Sequence, residues 1–394
     1  MVKCVSKLCW MGALLAVSVL ACGQHRSQQP YHETPSVPLT YNGAGREDPE
    51  PTGLTEVRIV YFGPGDSGRA ARDSIWEGAT LAIENANHEG GYKGLPFRLI
   101  PVWAPNPWAG GAANLIKAIY AEPTWAVLGG TDGATTHLAE QVVTKALVTL
   151  INPVSTDTSI HHANLPWIFS IAPGAEKAAD LIGTEIKNRA KAFALLSGTD
   201  HDSRAFVSAL ERAFKRQQIA PVLHLETEDA HLSGAAAVDR ALHAGAQVMV
   251  VAAGSEESTL LIKTLRQSGF AGPIYAGPEL ALNEPDVLLL GVVVPQLGNI
   301  SEDFRNKFQL RYGRAPDCAA ALAFDAANVI VASMRKGGLN RSRIRDAVRQ
   351  LSPYQGVSGR IEWDNLGQNL RAVTLHPITK SQKEIPPITG EARP

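Results

Sequence analysis

The sequence predicts an α/β fold of two doubly wound lobes. Three observations carry this. The chain has 394 residues, enough for two hydrophobic cores at roughly 150 residues per domain. From residue 55 onward, short apolar runs alternate with segments of helical spacing. After residue 172 the series restarts at similar size, with no sequence repeat between the halves. Such alternation builds mostly parallel sheets with helices on both faces. Hydrophobic residues make up 45% and charged residues 19%, and 37 Lys+Arg against 38 Asp+Glu give a net charge of −1. The chain is therefore too apolar for intrinsic disorder and lacks a basic footprint for nucleic acid.

The elements follow in order. An apolar run from Leu8 to Ala21 comes after Lys3 and Lys7. A basic start and a short apolar stretch describe a secretory signal, too short to span a bilayer comfortably. The run ends Val19-Leu20-Ala21-Cys22. This resembles the lipobox of bacterial lipoproteins, in which the Cys becomes diacylated and holds the protein on a membrane surface. An ordinary cleaved signal is the plainer alternative. Cys4 and Cys9 leave with residues 1–21, and a lipidated Cys22 leaves only Cys318, so no internal disulfide and no cysteine metal site is expected. Removing Lys3 and Lys7 takes the charge from −1 to −3. Residues 22–54 contain Gln24, Gln28, Gln29, Pro30, Pro35, Pro38, Pro49 and Pro51 and no apolar period. They read as a flexible tether with a reach of about 30 Å.

In the first lobe the pattern gives strands at 57–62, 97–103, 125–128 and 147–151, with helices at 75–86, 109–120 and 136–145. In the second it gives helices at 174–189, 204–217, 233–244 and 255–268, and strands at 193–196, 222–225, 247–252, 273–275 and 291–294. Three helices near 301–313, 317–336 and 341–350 and two strands at 360–363 and 372–376 follow. Residues 381–394 are a tail.

Ligands of open parallel sheets bind beyond the carboxyl ends of the strands, so the loops after strands matter. Gly63-Pro64-Gly65-Asp66-Ser67-Gly68 matches G-x-G-x-x-G after a strand. Pro64 removes an N–H that a pyrophosphate needs, the helix starts later near Asp73, and Glu84, at the right distance for a ribose, lies within a predicted helix. A nucleotide site is not expected. Gly129-Gly130-Thr131-Asp132-Gly133-Ala134-Thr135-Thr136 leads into a helix whose free N–H groups attract a carboxylate, with Asp132 or Thr135 as the capping residue. Asn152-Pro153-Val154-Ser155-Thr156-Asp157 offers hydroxyls, and Tyr275-Ala276-Gly277-Pro278-Glu279 offers an acid.

Together these segments resemble the bacterial solute-binding proteins of the branched-chain amino acid (Leu/Ile/Val-binding) type. The resemblance runs from about Val57 to His376. It rests on Glu77-Gly78-Ala79 running into Ile83-Glu84-Asn85-Ala86-Asn87-His88-Glu89-Gly90-Gly91, on Gly129-Gly130, on Asn152-Pro153 and on Gly277-Pro278-Glu279. Phe304, Phe308, Tyr312 and Pro316 before Phe324-Asp325-Ala326, and Gly359-Arg360-Ile361-Glu362-Trp363-Asp364, complete it. The resemblance implies a type I periplasmic binding fold: two Rossmann-like lobes joined by a three-strand hinge, closing on a small ligand that an ABC permease then receives. The implied lobes are 55–172 with 303–355, and 173–302 with 356–380, with hinges after about 172, 302 and 355. A monomer without cofactor, metal or catalytic residues is implied, located in the cell envelope, lipid-anchored in the periplasm or on the outer face of the membrane. A sensor that signals to a membrane receptor uses the same fold and is the alternative.

The resemblance also implies site residues. Gly133 stands where the family offers a Ser hydroxyl to the ligand carboxylate, so the backbone N–H remains. Val154 and Thr156 correspond to the amino-acid contacts of the second loop, and Glu279 to the acid that holds the ammonium. The aromatics of the second lobe are absent: Thr199-Asp200-His201-Asp202-Ser203-Arg204 and Gly254-Ser255-Glu256-Glu257 stand in their places. Asp132, Asp202, Glu256 and Glu279 are therefore candidates for an acidic cleft wall, and an acidic cleft favours a cationic amine. No metalloprotease, P-loop or nucleophile-elbow motif is present, and Gly356-Val357-Ser358-Gly359 lacks the elbow's surroundings. His161-His162 read as surface histidines, and His201-Asp202 as a base pair without a nucleophile.

Overall fold

A computed structural model describes residues 45–65, 74–189, 192–228, 230–282 and 287–379. The signal and lipidation readings, the tether up to residue 44, Asp66-Ser67-Gly68 of the glycine loop and the tail lie outside the described residues.

The first half runs β1 (Val57–Phe62), α1 (Ser74–His88), β2 (Phe97–Val102), α2 (Ala112–Ala121), β3 (Thr124–Gly129), α3 (Gly133–Ala146), β4 (Thr149–Asn152) and β5 (Ile168–Ser170). The second runs α4 (Ala175–Arg189), β6 (Phe193–Ser197), α5 (His201–Gln217), β7 (Leu223–Glu226), α6 (Ala230–His243), β8 (Val248–Ala252), α7 (Ser255–Gln267), β9 (Ile274–Ala276), α8 (Pro278–Leu282) and β10 (Val293–Gln296). Then come α9 (Glu302–Tyr312), α10 (Cys318–Gly337), α11 (Arg341–Gln350), β11 (Tyr354–Gly356), β12 (Gly359–Ile361) and β13 (Thr374–Pro377).

Two sheets result. The first has the order β2-β1-β3-β4-β5 and is parallel throughout. The second has the order β13-β10-β9-β8-β6-β7, parallel except where β13 pairs antiparallel with β10. A short β11-β12 hairpin stands apart. Strands β3, β4, β6 and β8 are buried at every position, as strands covered on both faces must be. The fold is the predicted α/β arrangement of parallel-sheet lobes. The sequence reading missed β5 and β11, each three residues long and too short to show a period.

Helix α10 is apolar enough to cross a membrane, with a mean hydropathy of 1.3, but 78% of that window is buried. It is the core helix of the first lobe, packed along α1. Gly78 makes that packing possible, because a Cβ there would run into the Ala320 backbone carbonyl. Gly78→Ala is expected to destabilise the protein by about 1–3 kcal/mol by overpacking. Urea unfolding measures this, and an unchanged midpoint would contradict the packing.

Three chain crossings connect the sheets. In the first, Ile171 N–H donates to the Asn152 carbonyl at 2.9 Å and the Asn369 amide to the Ile171 carbonyl at 2.5 Å. In the second and third, Asn299 N–H donates to the Ser358 carbonyl at 2.9 Å and Ser301 N–H to the Val357 carbonyl at 3.1 Å. Asp325 of α10, 1% exposed, accepts the Val357 and Ser358 N–H groups at 2.8 Å each. Arg371 adds bonds to the Leu297 carbonyl at 2.8 Å and the Ser358 hydroxyl at 3.0 Å.

Candidate interlobe binding site

The site begins at the N-terminus of α3. Asp132 Oδ1 accepts the Thr135 N–H at 2.7 Å and the Thr135 hydroxyl at 2.7 Å, while Thr135 Oγ1 accepts the Asp132 N–H at 3.3 Å. Both predicted capping candidates thus serve one capping box. The helix starts at Gly133, three residues before the apolar spacing indicates, because its first turn carries no apolar signal. The Gly133 N–H, ahead of the capped turn, is available to an outside acceptor.

That acceptor comes from the other lobe. Asp200 caps α5 through the Ser203 N–H at 3.0 Å, so α5 begins at His201 rather than near Arg204. Asp202 lies in its first turn, and both its carboxylate oxygens accept the Gly133 N–H, at 3.0 and 2.9 Å. The carboxylate thus reaches from the first turn of α5 to the N-terminus of α3, whose free N–H groups attract an acceptor. A Cβ on residue 133 would collide with that carboxylate and come within 3.0 Å of the His201 ring. Glycine at 133 is what lets Asp202 reach the helix end.

The loop after β4 is organised by Asn152. Its Oδ1 accepts the Val154 and Ser155 N–H groups at 3.2 and 2.9 Å, and its Nδ2 donates to the Ser155 carbonyl at 3.0 Å. The Val154 N–H, expected to face a ligand, is thereby engaged inside the loop, and Val154 is buried. Thr156 is also buried, and its carbonyl accepts the Ala175 N–H at 2.9 Å. Asp157 then caps the turn Thr158–His161, accepting the Ser159 N–H at 2.8 Å through Oδ1.

The other oxygen of Asp157 is a meeting point. His201 Nε2 approaches it at 2.8 Å, His137 Nε2 at 3.2 Å and the Ser159 hydroxyl at 2.8 Å. His137 Nδ1 meets Glu140 Oε2 at 2.9 Å. The two imidazoles stand edge to face with centroids 5.3 Å apart. Hydrogen bonds from Asp157 and then Glu140 push His137 up to about 9, against the opposing cost of burial. Burial acts to raise Asp157, but the hydrogen bonds from His137, His201 and Ser159 outweigh it and hold the carboxyl well below its usual range. The sequence reading paired His201 with Asp202. The structure separates them: His201 turns to Asp157 and Asp202 to Gly133, since adjacent residues at a helix start point in different directions. A cavity of about 500 Å³ opens here, lined by Thr156, Asp157, Ser159, His162, His201 and Asp202 among others.

Glu279 lies in the first turn of α8 rather than in a loop. Burial first, then the nearby charges of Asp202, Asp200 and Asp132, push it up to about 8. Burial likewise raises Asp202 to about 7, against the pull of the Gly133 N–H. Asp132, Asp202 and Glu279 thus form one acidic neighbourhood. Glu256 is exposed in the first turn of α7, and its neighbour Glu257 turns inward to accept the Thr227 hydroxyl at 2.6 Å. His161 is not a surface residue: it is 3% exposed, bonded to Ser170 Oγ at 2.8 Å and facing the Leu366 carbonyl at 3.1 Å. Burial pulls it down to about 4, so it is a neutral core histidine. His162 is exposed, as expected. Glu84, the ribose candidate, instead pairs with Arg311 at 2.9 Å on the surface.

Residues 59–383 match the periplasmic binding protein family. An amino acid binding protein of Pseudomonas aeruginosa is 21% identical over 328 residues, covering 80% of this chain and 87% of that protein. Among solved structures, the branched-chain amino acid transporter substrate-binding protein LivJ of Streptococcus pneumoniae, in complex with isoleucine, is 17% identical with a TM-score of 0.71, covering 82% of this chain and 96% of LivJ. A solute-binding protein of an R. palustris ABC transporter, in complex with benzoate, is 14% identical with a TM-score of 0.71, covering 83% of this chain and 94% of its own.

Proposed function

Because the chain belongs to the periplasmic binding protein family, we propose that it captures a small cationic amine between its lobes and delivers it to an ABC permease. The family's members are substrate-binding proteins that work in the periplasm or outside the cell. The observation that carries the ligand class is the neighbourhood of Asp132, Asp202 and Glu279, in which burial first, and then the charges of Asp202, Asp200 and Asp132, raise Glu279. Like charges gathered in a low-dielectric cleft are relieved by a bound cation. A second observation narrows the class. Asp202 holds the α3 N-terminus at Gly133, where an amino acid's carboxylate would otherwise sit. A cationic amine or polyamine need not displace it.

The similar proteins bear isoleucine in one case and benzoate in another, so the scaffold leaves the ligand to the pocket. Lobes of 55–172 with 303–355 and 173–302 with 356–380 close about the three crossings, and differential affinity for the closed state drives that closure. Signal cleavage after Ala21 and diacylation of Cys22 would place the protein on a membrane surface in the cell envelope. A thermal-shift screen of amino acids, polyamines and amides tests the ligand class. A cationic amine should stabilise the protein, by about 2.7 kcal/mol at a hundredfold excess over Kd. Stabilisation by anionic or neutral ligands alone, or by none, would overturn the reading.

A further inference from the structure

We propose that His137, Asp157 and His201 form a binding site for a divalent transition metal, best suited to Zn²⁺, that ties one lobe to the other. Nothing in the proposed amine binding requires it. The donor set is two imidazoles and one carboxylate, and the three donor atoms lie within 4.8 Å of one another. His137 Nε2 and His201 Nε2 approach the same atom, Asp157 Oδ2, at 3.2 and 2.8 Å. Zinc bonds of about 2.0–2.1 Å in a tetrahedron separate neighbouring donors by roughly 3.3 Å, close to the two imidazole-to-carboxylate spacings. His137 Nε2 also lies 2.9 Å from the Ser159 hydroxyl, which borders the same point. A metal ion at that point would take the lone pair of each imidazole in place of these hydrogen bonds.

The surroundings fit. His137 presents its remaining nitrogen, Nδ1, to Glu140 Oε2 at 2.9 Å, and Glu140 is 6% exposed. A carboxylate on the far nitrogen orients a metal-binding imidazole and raises its basicity. The imidazoles are carried by α3 and α5, and Asp157 Oδ1 is fixed by the Ser159 N–H at 2.8 Å. The 500 Å³ cavity reaches Asp157 and His201, leaving room for water as a fourth ligand. Nitrogen donors favour zinc and similar ions over Mg²⁺ or Ca²⁺, which take oxygen. His137 and Asp157 belong to the first lobe and His201 to the second, so a metal held by all three binds the closed arrangement better than an open one.

Isothermal titration of the chelator-stripped protein with ZnCl₂ at pH 7.5, in amine-free buffer, tests this. One zinc per chain is expected, with no binding of Mg²⁺. His201→Ala and His201→Gln should each weaken it by at least about 100-fold, and Glu140→Gln by about 10-fold. The His201 side chain is 41% exposed, so these variants should keep the wild-type circular dichroism. Absence of zinc binding, or zinc affinity unchanged in both His201 variants, would overturn the site. The amine screen is read without zinc, so either result stands independently.

Discussion

Glu279→Gln is expected to weaken amine binding by about 100-fold, the scale for removing one partner of an enclosed charge pair. The same change should make the unliganded protein more stable at alkaline pH. Burial and the charges of Asp202, Asp200 and Asp132 raise the folded-state value of Glu279 to about 8 from an ordinary 4.5. A carboxyl raised on folding contributes stability that is complete below its unfolded value and is lost as pH rises through its folded value. The wild-type protein should therefore lose stability between about pH 4.5 and 8, and the Gln variant should lose less. Melting temperatures of both proteins at pH 4.5 and 8.5, with calorimetry of the best amine from the screen, check both halves. Equal amine affinity in the variant would remove Glu279 from the site. A parallel pH dependence would remove the burial argument.

Asp325→Ala is expected to have the largest effect on stability, about 3 kcal/mol. Its carboxylate accepts two hinge N–H groups at 2.8 Å, and alanine leaves both without their acceptor in a buried place. Each orphaned donor costs about 1–3 kcal/mol. Asp325→Asn retains one acceptor oxygen and should recover about half. Because Val357 and Ser358 also receive the chain from Asn299 and Ser301, the loss should reach the geometry of closure. Urea unfolding gives the stability. Small-angle scattering with and without amine gives the closure. Wild-type behaviour of Asp325→Ala in both would show that the crossings hold without it.

The fold was legible because apolar residues repeat with the period of each element. Strands such as Thr124–Gly129 and Val248–Ala252 are buried along their length and read as unbroken apolar runs. Helix starts were less legible, since the first turns of α3 and α5 are built from Gly133, Thr135, His201 and Asp202, which serve caps and contacts rather than the core. Asp202 and Glu279 stand after strands in the sequence, and the charge of Asp202 helps raise Glu279. The partners of Asp157 were not legible. Asp157 lies 20 residues from His137 and 44 from His201, separations that no local sequence pattern spans. His161 shows the converse. Its hydrogen bonds to Ser170 and the Leu366 carbonyl make burial tolerable, and no local pattern announces them.

On the proposed function, this periplasmic binding protein holds a cationic amine in an acidic interlobe cleft. Native mass spectrometry of the freshly purified protein, followed by denaturation and identification of the released small molecule, decides this. One equivalent of an amine-bearing ligand, absent from Glu279→Gln, is the predicted result. An anionic ligand such as a carboxylate without an amine, retained equally by both proteins, would contradict it.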